Sequence, residues 1–488
     1  MQIKQLLERM EYTVLCGSID TEITTLVYDS RKVEKGSAFV CISGTVRDAH
    51  DFIPEVVEKG AAVVIVEKNV ELLPGVTYIK VDNSRKALAY LSAAYFGYPA
   101  EHIKTIGITG TKGKTTTTYM VKSILDGAGI KTGLIGTIET IIGDEHIPSA
   151  NTTPESFIVQ KYFRKMVDAG LDAVVMEVSS QALMLDRVAG FVFDIGVFTN
   201  LEPDHIGENE HKDFADYMHC KSLLFQQCNI GIFNGDSEHL DGILKGHTCK
   251  VLTFGYGSSN DLRAENVELL KDNGALGVKY HVAGMADFDV EVNVPGTFSV
   301  YNSLTAIAIC EQFAVPTEKI KSTLKNVHVK GRIELVPVSP HYTIMIDYAH
   351  NAMALESLLT TLREYEPGRL VCVFGCGGNR AKSRRYEMGE VSSRLADLTV
   401  VTSDNPRNEE PMDIIADILI GVKKQNGAYV TIPDRKEAIA YCMKNAKEGD
   451  IIVLAGKGHE DYQEIKGVKH HMDERELIAD IVREMEQK

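Results

Sequence analysis

Short apolar runs, each closed by glycine or polar residues and followed by a helical pattern, recur along this 488-residue chain: Ala61 to Val66, Ala173 to Met176, Ile195 to Phe198, Leu370 to Phe374, Leu398 to Thr402 and Ile451 to Leu454. Strand-like runs alternating with helices predict an α/β fold with mostly parallel sheets. In such sheets ligands gather where the strands end, at the carboxyl side, so the loops after these runs are where chemistry is expected.

A chain of this length exceeds what one core supports, so several domains are expected. A first boundary is predicted near Tyr98-Pro99-Ala100, where the helical stretch Arg85 to Phe96 ends. A second falls near Lys330 to Pro340, after Gly331-Arg332. The expected domains are therefore 1–100, 101–332 and 333–488, each of ordinary size. No internal repeat or low-complexity tract is evident.

Composition excludes several classes. A net charge of −16 argues against a general nucleic-acid binder, which needs broad basic surface. No apolar run approaches the length of a bilayer span, and Met1 to Met10 lacks a signal-peptide core, so a cytoplasmic location is expected. Nine cysteines without a C-x-x-C pair suit a reducing compartment rather than a disulfide or zinc framework.

The richest strand end is Gly107 to Thr118, GITGTKGKTTTT, directly after the apolar stretch Ile103 to Ile108. Glycines in such a loop let backbone N–H groups converge on phosphate oxygens, a lysine neutralises the outer phosphates, and the following hydroxyl holds Mg²⁺. These roles fall to Gly110, Gly113, Lys114 and Thr115, with Thr111, Lys112 and Thr116 completing the loop. The common spacing wants glycine where Ile108 stands, so the loop by itself indicates a nucleotide and no particular reaction.

Other strand ends add polar groups. Glu177-Val178-Ser179-Ser180-Gln181 places a carboxylate where Mg²⁺ needs a hard oxygen donor, although capping of the next helix is an alternative role for Glu177. Thr199 to His205 sets Asp204 and His205 on a post-strand loop. Asp213 to Phe225 reads as a helix with Lys221 among apolar positions, where a lysine can simply snorkel. In the last third, Asp347 to His350, Gly375 to Arg380, Asp404 to Arg407 and Gly456 to Glu460 each follow an apolar run. The basic cluster Arg380, Lys382, Arg384 and Arg385 suits a small carboxylate or phosphate, a solvated helix face being the alternative.

Taken together, GTKGKTT at Gly110, NTTP at Asn151, MEVSSQAL at Met176, DYMHCKSLLF at Asp216, GTFSVYN at Gly296, GRIE at Gly331, DYAHN at Asp347, GCGGNR at Gly375, DNPR at Asp404 and AGKGHEDYQ at Ala455 resemble the Mur ligase family, over nearly the whole chain. The resemblance implies three domains: a UDP-substrate-binding domain, a central P-loop ATPase domain and a C-terminal amino-acid-binding, Rossmann-like domain. It implies an ATP- and Mg²⁺-dependent amide-forming ligase of peptidoglycan precursor synthesis, with UDP-N-acetylmuramoyl-L-alanyl-D-glutamate and meso-diaminopimelate as substrates. DNPR points to diaminopimelate because its second carboxylate needs a cation, which Arg407 supplies. Ligation of L-lysine, or another ligase of the superfamily such as folylpolyglutamate synthase, is the alternative.

Carried over residue by residue, the resemblance makes Lys114, Glu177, His205 and Lys221 catalytic, with Thr115, Glu177, His205 and a carbamate of Lys221 around Mg²⁺. Asn302, Arg332, Asp347 and His350 would join the phosphate loop in binding ATP. Ser30, Asn151, Thr152, Thr153, Ser179 and Arg187 would hold the UDP substrate, and Arg385, Asp404, Asn405, Pro406, Arg407, Gly456 and Glu460 the amino acid. A monomer without membrane insertion or nucleic acid is expected. Leu185, Ser299, Ala352 and Ala381 stand where the family pattern has other residues.

Overall fold

The computed structural model describes residues 1–44, 47–207, 210–272 and 275–487. They form two compact units, Met1–Asp261 with Thr305–Val315, and Leu262–Leu304 with Pro316–Lys488. The mixed α/β class with largely parallel sheets is as the strand-helix alternation requires.

The first unit begins with a five-stranded sheet in the order Thr13–Cys16, Thr77–Lys80, Val63–Val66, Ala38–Val40, Leu26–Val27, parallel apart from the first pair. The helix Ser84–Tyr95, whose N-terminus Asn83 caps by accepting from Lys86 N at 3.0 Å, covers one face with Leu88 and Leu91 packed among Ile3, Leu6 and Leu7. Fully burying each such leucine stabilises the fold by about 1.5–3 kcal/mol.

Eight further strands of this unit follow the order Lys250–Gly255, Cys228–Asn234, Phe193–Phe198, Lys104–Thr109, Ala173–Glu177, Thr132–Ile135, Glu139–Ile142, Glu145–Pro148. The first six are parallel and the last two fold back antiparallel. Register aligns Phe198 with Thr109 and Glu177 with Ile108, so the phosphate loop, Glu177 and the Thr199 loop leave the sheet side by side.

The second unit holds a six-stranded sheet, Glu334–Val336, Thr343–Asp347, Ile451–Ala455, Leu370–Phe374, Leu398–Val401, Tyr429–Thr431, parallel except at its first edge. Its central strands are buried at every residue because helices cover both faces. One face meets Leu355, Leu359, Met388 and Ile415, and the other Ile439, Cys442, Ile478 and Ile481. Asp347 and Phe374 both pair with Ala455, which puts the loops after three strands at one sheet edge.

An antiparallel meander, Leu262–Asp272, Ala275–Gly284 and Phe288–Val292, was not anticipated from the apolar runs. Its strands bury alternate residues, such as Val278, Tyr280 and Val282, so they never form a continuous run. No helix among the described residues is long and apolar enough to cross a membrane, and all nine cysteines are free thiols.

Candidate active site

The strand Lys104–Thr109 turns through Gly110 into the helix Lys114–Gly127, whose N-cap is Gly113. A glycine cap offers no side-chain acceptor to the first-turn amides, which suits them to an anion. Gly110 has φ +153°, and a Cβ there would lie 2.0 Å from Thr199 Oγ1, so the loop is pressed against the neighbouring strand end. That neighbour also fixes it: Asn200 Oδ1 accepts from Lys112 N at 2.8 Å, Thr199 Oγ1 donates to Lys112 O at 2.8 Å, and Thr111 Oγ1 lies 3.0 Å from Tyr217 Oη. Lys114 Nζ donates to Gly110 O at 2.7 Å and Thr111 O at 3.0 Å.

Glu177 is 1% exposed, yet its carboxylate is surrounded by donors. Thr115 Oγ1 lies 3.0 Å from both oxygens, Thr137 N donates at 2.8 Å and Thr137 Oγ1 at 3.0 Å. A carboxylate between two hydroxyls is a hard-oxygen set that fits Mg²⁺. Thr137 was not anticipated, although it follows the strand Thr132–Ile135 at the same sheet edge. His205 lies on the exposed loop, with φ +54°, Nδ1 3.3 Å from Glu210 Oε1 and its ring 6.1 Å from that of Tyr217.

Lys221 is 2% exposed, donates to Gly110 O at 2.9 Å and sits 4.6 Å over the Tyr217 ring. Lys114 and Lys221 thus share one carbonyl oxygen. Burial first, and then the Lys114 charge, push the Lys221 ammonium well below its ordinary pKa and favour the neutral amine.

Four of the residues assigned to the UDP substrate gather beside Glu177. Thr153 Oγ1 donates to Glu177 O at 2.9 Å and accepts from Ser179 N at 3.0 Å, Thr152 Oγ1 lies 3.1 Å from Thr137 Oγ1, and Arg187 Nη1 donates to Thr153 O at 3.2 Å. Asn151 is exposed on the same loop. Ser30 lies in the short helix Ser30–Lys32 of the first sheet's region, where its carbonyl accepts from Lys59 Nζ at 3.0 Å.

In the second unit, Asp347 accepts from Ile333 N at 2.8 Å and Ala349 N at 2.7 Å, and burial raises its pKa. Tyr348 carries Arg332 5.0 Å over its ring and meets the rings of His350 at 4.7 Å and His459 at 4.8 Å in tilted contacts. Asn302 is buried on the helix Phe298–Glu311.

The DNPR and GKGHE loops are interlocked through Asn405. Its Oδ1 accepts from Lys457 Nζ at 2.9 Å and Glu464 N at 2.8 Å, and its Nδ2 donates to Glu460 Oε2 at 2.9 Å. Asp404 Oδ1 accepts from Asn405 N at 2.6 Å, and Gly456 N donates to Asp347 O at 3.0 Å. Arg407, with φ +52°, donates from Nη1 to Gly378 O at 2.7 Å and from Nε to Glu464 Oε2 at 3.1 Å, which leaves Nη2 without a protein partner among the described residues.

Arg385 differs. It is 1% exposed and its Nη1 and Nη2 bind Glu409 at 2.8 and 2.7 Å, with Asp417 a further 2.8 Å partner of Nη1, so its guanidinium is engaged by protein carboxylates. Arg435 was missed by sequence reasoning. Fully buried, it donates to Glu474 Oε1 at 2.8 Å, Ser403 O at 3.2 Å and Ala455 O at 3.0 Å, tying the roots of both loops together. Its position at the start of a helix, far along the chain from either loop, gave no local signal.

A glycine-capped loop at one sheet's carboxyl edge and a polar, mixed-charge loop cluster at another's put the candidate chemistry at strand ends, as in nucleotide-using α/β enzymes. Residues 22–96, 108–310 and 331–458 match, respectively, the Mur ligase family catalytic domain, the Mur ligase middle domain and the Mur ligase glutamate ligase domain. The chain belongs to the Mur ligase family.

It is 43% identical over 488 residues to UDP-N-acetylmuramoyl-L-alanyl-D-glutamate--2,6-diaminopimelate ligase 1 of Clostridium acetobutylicum, covering 99% of this chain and 100% of that one. The ligase of the same activity from Clostridium perfringens is also 43% identical, with 99% of both chains covered. Among solved structures, a UDP-N-acetylmuramoyl-L-alanyl-D-glutamate--2,6-diaminopimelate ligase matches with TM-score 0.75 and 26% identity over 100% of this chain and 99% of that one. The Thermotoga maritima MurF ligase, solved with ADP, shares the fold at TM-score 0.56 and 18% identity, with 96% of this chain and 98% of that one covered.

Proposed function

We propose that this protein uses ATP to join meso-diaminopimelate to the D-glutamate carboxylate of UDP-N-acetylmuramoyl-L-alanyl-D-glutamate, in the cytoplasm and as a monomer, with residues 1–100, 101–332 and 333–488 serving the UDP substrate, ATP and the amino acid. The observation that carries the reading is that Arg407 Nη2 has no protein partner among the described residues, on the same DNPR loop whose Asn405 pairs with Glu460. A cation and a carboxylate at neighbouring loop tips match the second, zwitterionic centre of diaminopimelate, which L-lysine lacks in its carboxylate half.

The substrate carboxylate attacks the γ-phosphorus of ATP, releasing ADP and forming an acyl phosphate. The incoming amine then attacks the carbonyl carbon, loses a proton and expels inorganic phosphate. Lys114 exchanges its loop carbonyls for the terminal phosphates, and positioning with charge neutralisation supplies most of the acceleration. Thr115, Glu177 and His205 would hold Mg²⁺, which when bound neutralises phosphate charge.

Lys221, whose pKa burial and then the Lys114 charge lower, is set up to react as its amine with CO₂, giving a carbamate whose negative charge faces the Lys114 ammonium. Thr152, Thr153, Ser179 and Arg187, with Ser30 and Asn151, would receive the UDP-peptide. Asn302, Arg332, Asp347 and His350 would receive the adenosine side, Arg332 and His350 held by their contacts with Tyr348. Arg385, held by Glu409 and Asp417, acts by positioning the Gly375 to Arg380 loop, while Asp404, Pro406 and Gly456 shape the amino-acid loops.

Phosphate release tests this directly. Purified protein, ATP, Mg²⁺ and the UDP-muramoyl dipeptide should release phosphate much faster with meso-diaminopimelate than with L-lysine, and not with L-glutamate or no amine. Release with L-lysine alone would overturn the diaminopimelate assignment, and release without any amine would overturn ligation.

A further inference from the structure

After the GKGHE loop the chain from Tyr462 to His471 folds into a hairpin of its own. Strands Tyr462–Ile465 and Val468–His471 pair antiparallel with Ile465 opposite Val468, so Lys466 and Gly467 alone turn the chain. Both have positive φ, +49° and +78°, the backbone of a two-residue turn whose twist suits a hairpin. Two strands by themselves are marginal in water, so this pair needs support from elsewhere.

The support is Arg407. Its N donates to Glu464 O at 3.0 Å and its O accepts from Lys466 N at 2.7 Å, which makes Arg407 a one-residue parallel partner of Ile465. These bonds hold Arg407 at φ +52°, a region that residues other than glycine seldom occupy.

Glu464 grips the DNPR loop at three points. Its N donates to Asn405 Oδ1 at 2.8 Å, its O accepts from Arg407 N, and its Oε2 accepts from Arg407 Nε at 3.1 Å. From another loop, Gly378 O accepts from Arg407 Nη1 at 2.7 Å and Gly378 N donates to Asn405 O at 2.8 Å. That approach requires glycine, because a Cβ at Gly378 would lie 1.9 Å from Pro406 O. Held at Nε and Nη1, the guanidinium has its plane fixed.

A loose arginine gives up its rotamers when it meets a ligand, whereas one already held has little left to lose. Glu464 also cancels part of the Arg407 charge. The pair is partly exposed, 24% and 28%, so solvent screens that effect, and ordering outweighs it.

We propose that Glu464 is a positioning residue for amine selection, its carboxylate orienting the Arg407 guanidinium so that Nη2 is presented to the distal carboxylate of the incoming amine. The proposal rests on the diaminopimelate reading of Arg407.

Initial rates of phosphate release by the full-length protein test it, with amine and ATP varied in turn. Glu464→Ala keeps both backbone bonds to the DNPR loop and deletes only the carboxylate. It should raise the KM for meso-diaminopimelate roughly two- to tenfold and leave the KM for ATP and kcat/KM for L-lysine unchanged. Glu464→Gln, whose amide oxygen can still accept from Nε, should recover most of the loss. In an Arg407→Ala background, Glu464→Ala should add nothing, since the group it orients is gone. If wild-type protein releases no phosphate with meso-diaminopimelate, or Arg407→Ala leaves its KM unchanged, the underlying reading fails and this proposal with it. If Arg407→Ala raises that KM, four results overturn the role of Glu464 alone: an unchanged or lower KM in Glu464→Ala, an equal loss for ATP or L-lysine, no recovery by Glu464→Gln, or additive losses in the double variant.

Discussion

Replacing Arg407 separates recognition of the amine from use of ATP. In the structure Nε and Nη1 are occupied by Glu464 and Gly378 O, so Arg407→Ala removes two kinds of interaction. The Glu464 pair is partly exposed, 24% and 28%, and is worth no more than about 1 kcal/mol. The larger loss is the charge-assisted bond from Nη2 to the distal carboxylate, about 1.5–3 kcal/mol, or roughly a 10- to 100-fold rise in KM for meso-diaminopimelate.

Initial rates of phosphate release against amine and ATP concentration measure this. The KM for ATP should barely move, and the preference for diaminopimelate over L-lysine should shrink by the same factor, because lysine has no carboxylate to lose. Arg407→Lys, which keeps the charge without the fork, should fall between. Equal losses for both amines, or a matching loss for ATP, would refute the assignment and reduce Arg407 to a loop support.

Thr137→Val keeps the backbone donor to Glu177 and deletes the hydroxyl, and should raise the Mg²⁺ concentration for half-maximal activity by about tenfold or more; an unchanged Mg²⁺ titration would remove Thr137 from the metal's surroundings. Lys221→Ala should lose at least about 100-fold in activity, with partial rescue by short carboxylic acids, and wild-type protein in ¹³C-bicarbonate should show a carbamate signal that the variant lacks. Full activity of the variant would sink the carbamate. Burial, then the Arg332, Lys330 and Arg475 charges, lower His459 from 6.5 to about 4. The folded state therefore binds fewer protons than the unfolded chain in that window, so this stability is present above pH 6.5 and lost as pH falls towards 4, by at most about 3 kcal/mol. Urea unfolding at pH 7 and pH 4.5 should show a smaller acid loss in His459→Asn, and identical losses would contradict the reading.

The parallel sheets were legible because doubly covered strands read as uninterrupted apolar runs, and their ends carried Lys114, Glu177 and Arg407 into view. The meander was not, since a strand with one wet face spreads its signal over alternate residues such as Val278 and Tyr280. The place of Glu177 beside the phosphate loop could be read from its strand-end address, but the contacts of Thr137 and Tyr217 could not, because they are made with segments distant in sequence. Arg385 shows the converse. A basic run reads as ligand binding, yet its partners, Glu409 and Asp417, lie on later segments that only folding brings to it.

Arg435 bears on how amine choice can be changed. Its guanidinium reaches the backbone at Ser403 and at Ala455, and Glu474 holds it in place, so the two recognition loops spring from a common anchor at their bases. Their tips, Pro406, Arg407 and His459, can then be varied without the bases drifting apart, provided the Asn405 link between the loops is kept. A library that randomises the tips and leaves Ser403, Arg435, Ala455 and Glu474 untouched would search new amines on a constant frame, whereas a library that touches Arg435 would mostly sample collapsed loops.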